Sequence, residues 1–177
     1  MVRSSYNSNN LNYGDIFETI LFLNKPKSIL EIGILDGFSL DIFAKNTTPD
    51  TIIEAYDIFD EFNGNGASKD YILDKFKDYE NVKVQYGDFY KLHENINNFD
   101  LIHIDIANNG DVIEYALNNY ISKLNENGII IFEGGSIERD NVEWMIKYDK
   151  PKINPLIEKY NMKLIGTFPS ICIYKKS

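Results

Sequence analysis

The stretch SILEIGILDGFSL, Ser28 to Leu40, decides how this chain is read. A short apolar run carries the acid Glu31, glycines follow at 33 and 37, and an amphipathic segment opens at Phe38. Such a run reads as a buried strand, and the glycines let its backbone turn sharply into a helix. Alone, it is only a tight turn. Whether it holds a small molecule depends on what other strands bring to the same edge.

Outward from that turn the chain alternates short apolar runs with helical patterns. Further strands are expected at Ile52–Tyr56, Val82–Tyr86, Leu101–Asp105 and Ile129–Glu133. Helical spacing marks a segment from Asp15 that Pro26 ends, with Gly14-Asp15 as its cap, and others at Ser39–Lys45, Ser68–Tyr79, Tyr90–Ile96, Asp111–Leu124 and Ile137–Lys147. Asn127-Gly128 is expected to close the helix that begins at Asp111, because such a pair tolerates positive φ. Near-continuous apolar strands joined by crossover helices imply a parallel sheet covered on both faces. The tail differs: after a helix near Ile153–Tyr160, strands Met162–Phe168 and Ser170–Tyr174 flank Pro169, and so short a link makes them antiparallel. The expectation is one α/β domain over 13–177, preceded by a flexible arm at 1–12.

Bulk properties narrow the classes. The chain of 177 residues is 44% hydrophobic and 25% charged, with a formal net charge of −9. That acidity repels a phosphate backbone, so nucleic acid is not an expected partner. No apolar run approaches the roughly 18 residues that span a bilayer, and the polar start MVRSSYNSNN lacks a signal-peptide core. No membrane partner and a cytoplasmic location follow as expectations. The one cysteine, Cys172, lies in the apolar alternation SICIYKK and reads as an inert strand residue. Assembly stays open, a homodimer included.

Ligands in such sheets bind beyond the carboxyl ends of the strands. The five strands deliver there, in turn, Glu31 with Gly33; Asp57; Gly87 and Asp88; Asp105; and Glu133 with Gly134 and Gly135. An acid closes every one. Asp57, about twenty residues past the glycine turn, stands where a carboxylate accepts hydrogen bonds from two ribose hydroxyls. In the dinucleotide fingerprint a glycine occupies the place of Glu31, and a carboxylate there repels pyrophosphate while attracting an amino group or a cation. That charge argues against an NAD-type oxidoreductase and for S-adenosylmethionine, whose sulfur is cationic and whose amino-acid end is zwitterionic.

KPKSILEIGILDGFSL resembles motif I of the class I S-adenosylmethionine-dependent methyltransferases, closest to the small catechol, caffeoyl-CoA and macrocin-type O-methyltransferases. The likeness runs from about Gly14 to Tyr174. It implies a doubly wound, Rossmann-like α/β sheet of seven strands, mostly parallel with a C-terminal antiparallel hairpin. It also implies methylation of a small-molecule acceptor at oxygen, with a sugar or glycan precursor suggested by the macrocin likeness alone. By that resemblance Glu31, Gly33 and Gly37 line the methionine end, with Phe38 and Ser39 at the helix start. Asp57 holds the ribose with Ile58 against the adenine, and Asp88 accepts from the adenine amino group beside Gly87 and Phe89. Asp36 either belongs to this set or only caps the helix, and Asp88 is compatible with capping too.

An oxygen acceptor must lose its proton to a base or a divalent metal. Asp105 reads as a cofactor contact and as a candidate catalytic group, and a metal set of Asp105, Asn108 and Glu133 for Mg²⁺ or another divalent cation is the alternative. The chain departs from the pattern, however: Asn108 stands where macrocin-type sequences carry a histidine, and Glu133-Gly134 replaces an acid–asparagine pair. These departures keep a second reading alive, a binding protein of this fold without transfer activity. His103 is either a catalytic group or a satisfied core histidine. In GGSIERDNVEWMIKYDKPKINP, Arg139 reads either as a substrate contact, beside Glu133, or as a surface partner of Glu143. Trp144, Met145 and Tyr148 read as packing residues, and Lys147, Lys150 and Lys152 as a solvated cluster.

Overall fold

The computed structural model describes residues 3, 4, 6, 12–61 and 67–176. Most of the expected arm therefore lies outside the described residues. Helix α1 (Tyr13–Asn24) leads into β1 (Ser28–Ile32), α2 (Phe38–Lys45), β2 (Ile52–Asp57), α3 (Lys69–Phe76), β3 (Val82–Tyr86) and α4 (Phe89–Leu92). Then come β4 (Phe99–Ile104), α5 (Gly110–Tyr120), β5 (Leu124–Glu133), α6 (Glu143–Lys147), α7 (Asn154–Lys159), β6 (Lys163–Ile165) and β7 (Ile171–Lys175).

Among the described residues these strands form one seven-stranded sheet in the order β3-β2-β1-β4-β5-β7-β6. Pairings β1–β2, β1–β4, β2–β3 and β4–β5 are parallel, whereas β7 runs antiparallel to both β5 and β6. Strand side chains alternate between two apolar layers, as period-2 geometry requires. Ile29, Ile53, Leu101 and Ile131 pack with Phe17 and Phe43 of α1 and α2. Leu30, Ile102, Ile130 and Phe132 pack with Ile113, Leu117 and Tyr120 of α5. Tyr13 ties the first helix to the hairpin, its hydroxyl accepting from the Ser170 amide at 2.9 Å. Cys172 is fully buried in β7, and burial pushes its thiol up.

Several boundaries differ from the periodicity. The pattern over 137–147 is interrupted: a 3₁₀ turn at Arg139–Asn141 precedes α6, and Val142 between them is extended. The Asp140 carboxylate causes the break, accepting from the Ile153 and Asn154 amides at 2.9 and 2.7 Å and so pinning this turn to the start of α7. Asn127, at φ 60°, is not a helix cap. It lies inside β5, where the pairing with β4 shifts between Phe99 and Leu101. The hairpin's outer strand is shorter than its sequence suggests, ending before Gly166 at φ 79°.

The turn after β1 is the tightest constraint. Gly33 has φ 92°, its amide donates to the Tyr56 carbonyl at 2.9 Å, and a Cβ there would stand 2.1 Å from the Asp105 carbonyl oxygen. Both the conformation and the space demand glycine. Gly33→Ala is expected to lose about 2–6 kcal/mol, combining positive-φ strain with overpacking of roughly 1–3 kcal/mol each. Thermal unfolding checks this, at about 2–4 °C per kcal/mol for a chain of this size. Melting at the wild-type temperature would mean that the two loops do not touch.

Candidate active site

Because α2 leaves β1 toward one face and α5 follows β4 on the other, a crevice opens where the strand order reverses. A cavity of about 680 Å³ lies there, within the range of small-molecule pockets, roughly 300–1,000 Å³. Its floor is Gly33, Phe38 and Ser39 from the glycine turn; Asp57 and Ile58 follow β2, Gly87, Asp88 and Phe89 follow β3, and Asp105 follows β4. Nine residues expected from the sequence to contact a cofactor therefore converge on one cavity.

Their geometry distinguishes the acids. Asp57 is nearly buried and accepts through Oδ2 from the Ile34 and Leu35 amides, at 2.7 and 3.3 Å, and through Oδ1 from the Phe59 amide at 2.7 Å. It thus fixes the glycine turn as well as facing the cavity. Asp88 caps α4, accepting from the Tyr90 amide at 3.0 Å, and its other oxygen lies 3.4 Å from Lys91 Nζ. Capping and facing the cavity coexist. Asp105 has no hydrogen-bond partner for its carboxyl among the described residues. Desolvation, then the negative charges of Glu133 and Glu31, push its pKa well above the carboxylate range, against a smaller opposing pull from Arg139.

Other expected contacts lie outside the lining. Glu31 is fully buried behind the wall, accepting from Ser39 Oγ and lying 3.2 Å from His103 Nδ1. His103 is likewise fully buried, between Phe17 and Phe43, and its place in the core gives it no access to a reacting atom. Gly37 caps α2 at φ 71° with Phe76 against it, and Asp36 is held by Arg3. Arg139 does not line the cavity, and it pairs with Glu133 rather than Glu143. Its Nε and Nη2 fork onto both Glu133 oxygens at 2.5 and 2.8 Å, with the pair 6% and 2% exposed. The turn pinned by Asp140 swings Arg139 inward, where Trp144 covers its guanidinium at 5.2 Å.

That ion pair decides the metal question. The three proposed ligands do not fit a divalent cation, because both Glu133 oxygens already carry the Arg139 guanidinium, whose positive charge sits where the cation would. Among the described residues no cluster of three His, Cys, Asp or Glu has the spacing for a metal. Conversely, the cavity includes residues read from sequence as packing or solvent-facing, Trp144, Tyr148 and Lys150, and it includes Arg3 and Ser4 from the arm. No periodic signal marks these positions; only the break before α6 and the return of the N-terminus bring them here.

No family model matches the chain, and no curated protein matches it. Solved structures do match. A candidate caffeoyl-CoA O-methyltransferase from Staphylococcus aureus superposes with a TM-score of 0.73 at 19% identity, covering 97% of this chain and 86% of its own. An S-adenosylhomocysteine-bound methyltransferase from Podospora anserina gives 0.69 at 20% identity, over 96% and 80%. An O-methyltransferase from Bacillus cereus, also in complex with S-adenosylhomocysteine, gives 0.68 at 15%, over 99% and 84%. The chain has the class I methyltransferase fold. More narrowly, its architecture is the one found in these small O-methyltransferases. Among the described residues no helix is long and apolar enough to cross a membrane.

Removing one member of the buried ion pair leaves an uncompensated charge, at a cost of about 3–5 kcal/mol. Arg139→Met is accordingly expected to destabilise the protein by that amount in denaturant titration. Adding Glu133→Leu to it should recover most of the loss, since an apolar pair of similar volume is commonly neutral or better. A double variant no more stable than Arg139→Met would place the function of the pair elsewhere.

Proposed function

We propose that this protein is an S-adenosylmethionine-dependent methyltransferase acting on a hydroxyl of a small molecule. The observation that carries the reading is the convergence of Asp57, Asp88 and Asp105 on one cavity at the β1/β4 reversal, with Ile58 and Phe89 beside them. The chemistry of that set suits the cofactor: acceptors for ribose hydroxyls and an amino group, apolar surface for an adenine, and no cluster of cations for a pyrophosphate. The solved structures sharing the fold include proteins in complex with S-adenosylmethionine or S-adenosylhomocysteine, which supports the assignment.

When bound, S-adenosylmethionine supplies a methyl group on a cationic sulfur that departs as a neutral thioether. The protein's share is binding, alignment and proton removal. Asp57 accepts from the ribose hydroxyls, Asp88 from the adenine amino group, and Ser39 marks the amino-acid end. Holding the acceptor oxygen in line accounts for several kcal/mol of barrier lowering by orientation alone. Asp105 is the group placed to take the acceptor's proton, since it faces the cavity and is engaged by no hydrogen bond among the described residues. Its raised pKa makes it a stronger base than an ordinary carboxylate. Trp144, Tyr148 and Lys150 offer the acceptor a wall on the side of α6.

The second reading, binding without transfer, is favoured by one observation: the metal end is closed by Arg139. Appearance of S-adenosylhomocysteine with a panel of hydroxylated acceptors separates the two. Absence of turnover across such a panel, with cofactor bound, would favour binding alone.

Asp57→Ala is expected to weaken S-adenosylmethionine binding tenfold or more by calorimetry, as two hydrogen bonds to a charged group are lost at about 1.5–3 kcal/mol each. An unchanged dissociation constant in the folded variant would remove Asp57 from the site. For Asp105 the sign is set by its raised pKa. Protonation stabilises the fold, so that stability is present at low pH and lost as pH rises through the folded-state value, while the basic form needed for transfer appears over the same rise. Asp105→Asn should therefore abolish the rising limb of the pH–rate profile. It should also melt a few degrees above wild type at pH 7, at about 2–4 °C per kcal/mol. A variant with the wild-type profile would exclude Asp105 as the base.

A further inference from the structure

Behind the cavity wall, four side chains from separate parts of the chain form one buried hydrogen-bonded line. Ser39 Oγ donates to Glu31 Oε1, His103 Nδ1 lies 3.2 Å from that same oxygen, and His103 Nε2 lies 3.1 Å from the Tyr6 hydroxyl. With the ring hydrogen assigned to Nδ1, facing the Glu31 oxygen, Nε2 accepts from the Tyr6 hydroxyl. The line starts at Ser39 on the cavity wall and ends in the N-terminal segment.

That segment is fastened at two points. Tyr6, 3% exposed, stacks on the cavity residue Phe38 with ring centroids 6.1 Å apart and meets Phe17 edge-on at 5.1 Å. Arg3 grips Asp36 through its backbone amide at 2.8 Å and through Nη2 at 2.6 Å. Between these anchors, Arg3 and Ser4 line the cavity itself.

A fully buried acid is a costly choice for a core. Glu31 keeps one oxygen, Oε2, without a hydrogen-bond partner among the described residues, so its burial is not fully compensated. Apolar residues would pack this layer at less cost. What they would not do is join the cavity wall to the N-terminal segment.

We infer that Tyr6 and His103 are positioning residues that couple docking of the N-terminal segment to occupation of the cavity. A ligand that orders Ser39 orders Glu31 and His103 behind it, and through them Tyr6; the docked segment in turn brings Arg3 and Ser4 over the ligand. Such coupling is reciprocal: whatever loosens the segment weakens the ligand by the same factor. The inference rests on the cavity being the cofactor site.

The test uses the full chain and S-adenosylhomocysteine as probe. Tyr6→Phe keeps the stacked ring and removes only the hydroxyl. Calorimetry at a temperature where the variant is folded is expected to show binding about three- to tenfold weaker, in line with residues that modulate coupling without touching ligand. On a Ser39→Ala background the same substitution should add little, because both act on one line. Hydrogen exchange in the wild type should show ligand slowing the amides around residues 3–6. A folded Tyr6→Phe variant with unchanged affinity, or additive losses in the double variant, would reduce the line to a structural contact. Absence of ligand-dependent slowing in the wild type would overturn the coupling whatever the variants do. Should the wild type fail to bind the probe at all, the cofactor reading falls and the coupling with it; binding with no coupling removes the coupling alone.

Discussion

The structure depends on one close approach, that of the Gly33 backbone to the carbonyl of Asp105. The connections after β1 and β4 diverge toward opposite faces of the sheet, so the crevice between them widens away from the strand ends. At its base the two chains must touch, or the crevice loses its floor. A residue without a side chain at position 33 permits this. The Asp57 carboxylate then holds the turn from the other side through the Ile34 and Leu35 amides. Fold and site are specified by the same few atoms, which is why cofactor pockets recur at this place in doubly wound sheets.

Acids that end neighbouring parallel strands are drawn together whether or not they act on anything, and the protein treats each differently. Glu133 is neutralised by the fork of Arg139 and withdrawn from the cavity. Among the described residues Glu31 is hydrogen-bonded on one oxygen only, by Ser39 and His103. Asp105 receives no such bond from the described residues and faces the cavity. Compensation thus falls off from Glu133 through Glu31 to Asp105. A carboxylate left uncompensated in a low-dielectric crevice holds its proton more tightly and, once ionised, takes one back more readily.

The sheet and most of the cavity were legible in the sequence, because both are written in local signals. Apolar runs at Ser28–Ile32 and Val82–Tyr86 match the observed strands, and Gly33, Gly87 and Asp88 just beyond them lie in the cavity lining as expected. What remained hidden depends on contacts distant in sequence. Arg139 read as a substrate or surface group since nothing nearby announces that Asp140 is tied to the turn at Ile153 and Asn154. Trp144 and Tyr148 read as packing because their helix is too short for a periodic face. Tyr6 lies in a polar stretch whose composition predicts no burial, yet its ring enters the core nearly a hundred residues from His103. Glu31 was the subtler case: its charge was read as repelling pyrophosphate and attracting an amino group or cation in the crevice, but alternation along β1 aims the side chain into the α1–α2 layer instead.

The placement of β7 bears on how the chain is made. It follows β6 in the sequence, yet it is inserted between β5 and β6 and caps the run Ile129-Ile130-Ile131-Phe132 with main-chain partners. Until it arrives, β5 is a bare edge of four consecutive large apolar residues, the kind of edge on which nascent chains aggregate. The bond from Tyr13 to Ser170 likewise joins positions 157 apart and closes only once both segments are present. Completion of the sheet therefore waits for β7, whose loss would expose β5 rather than trim a periphery.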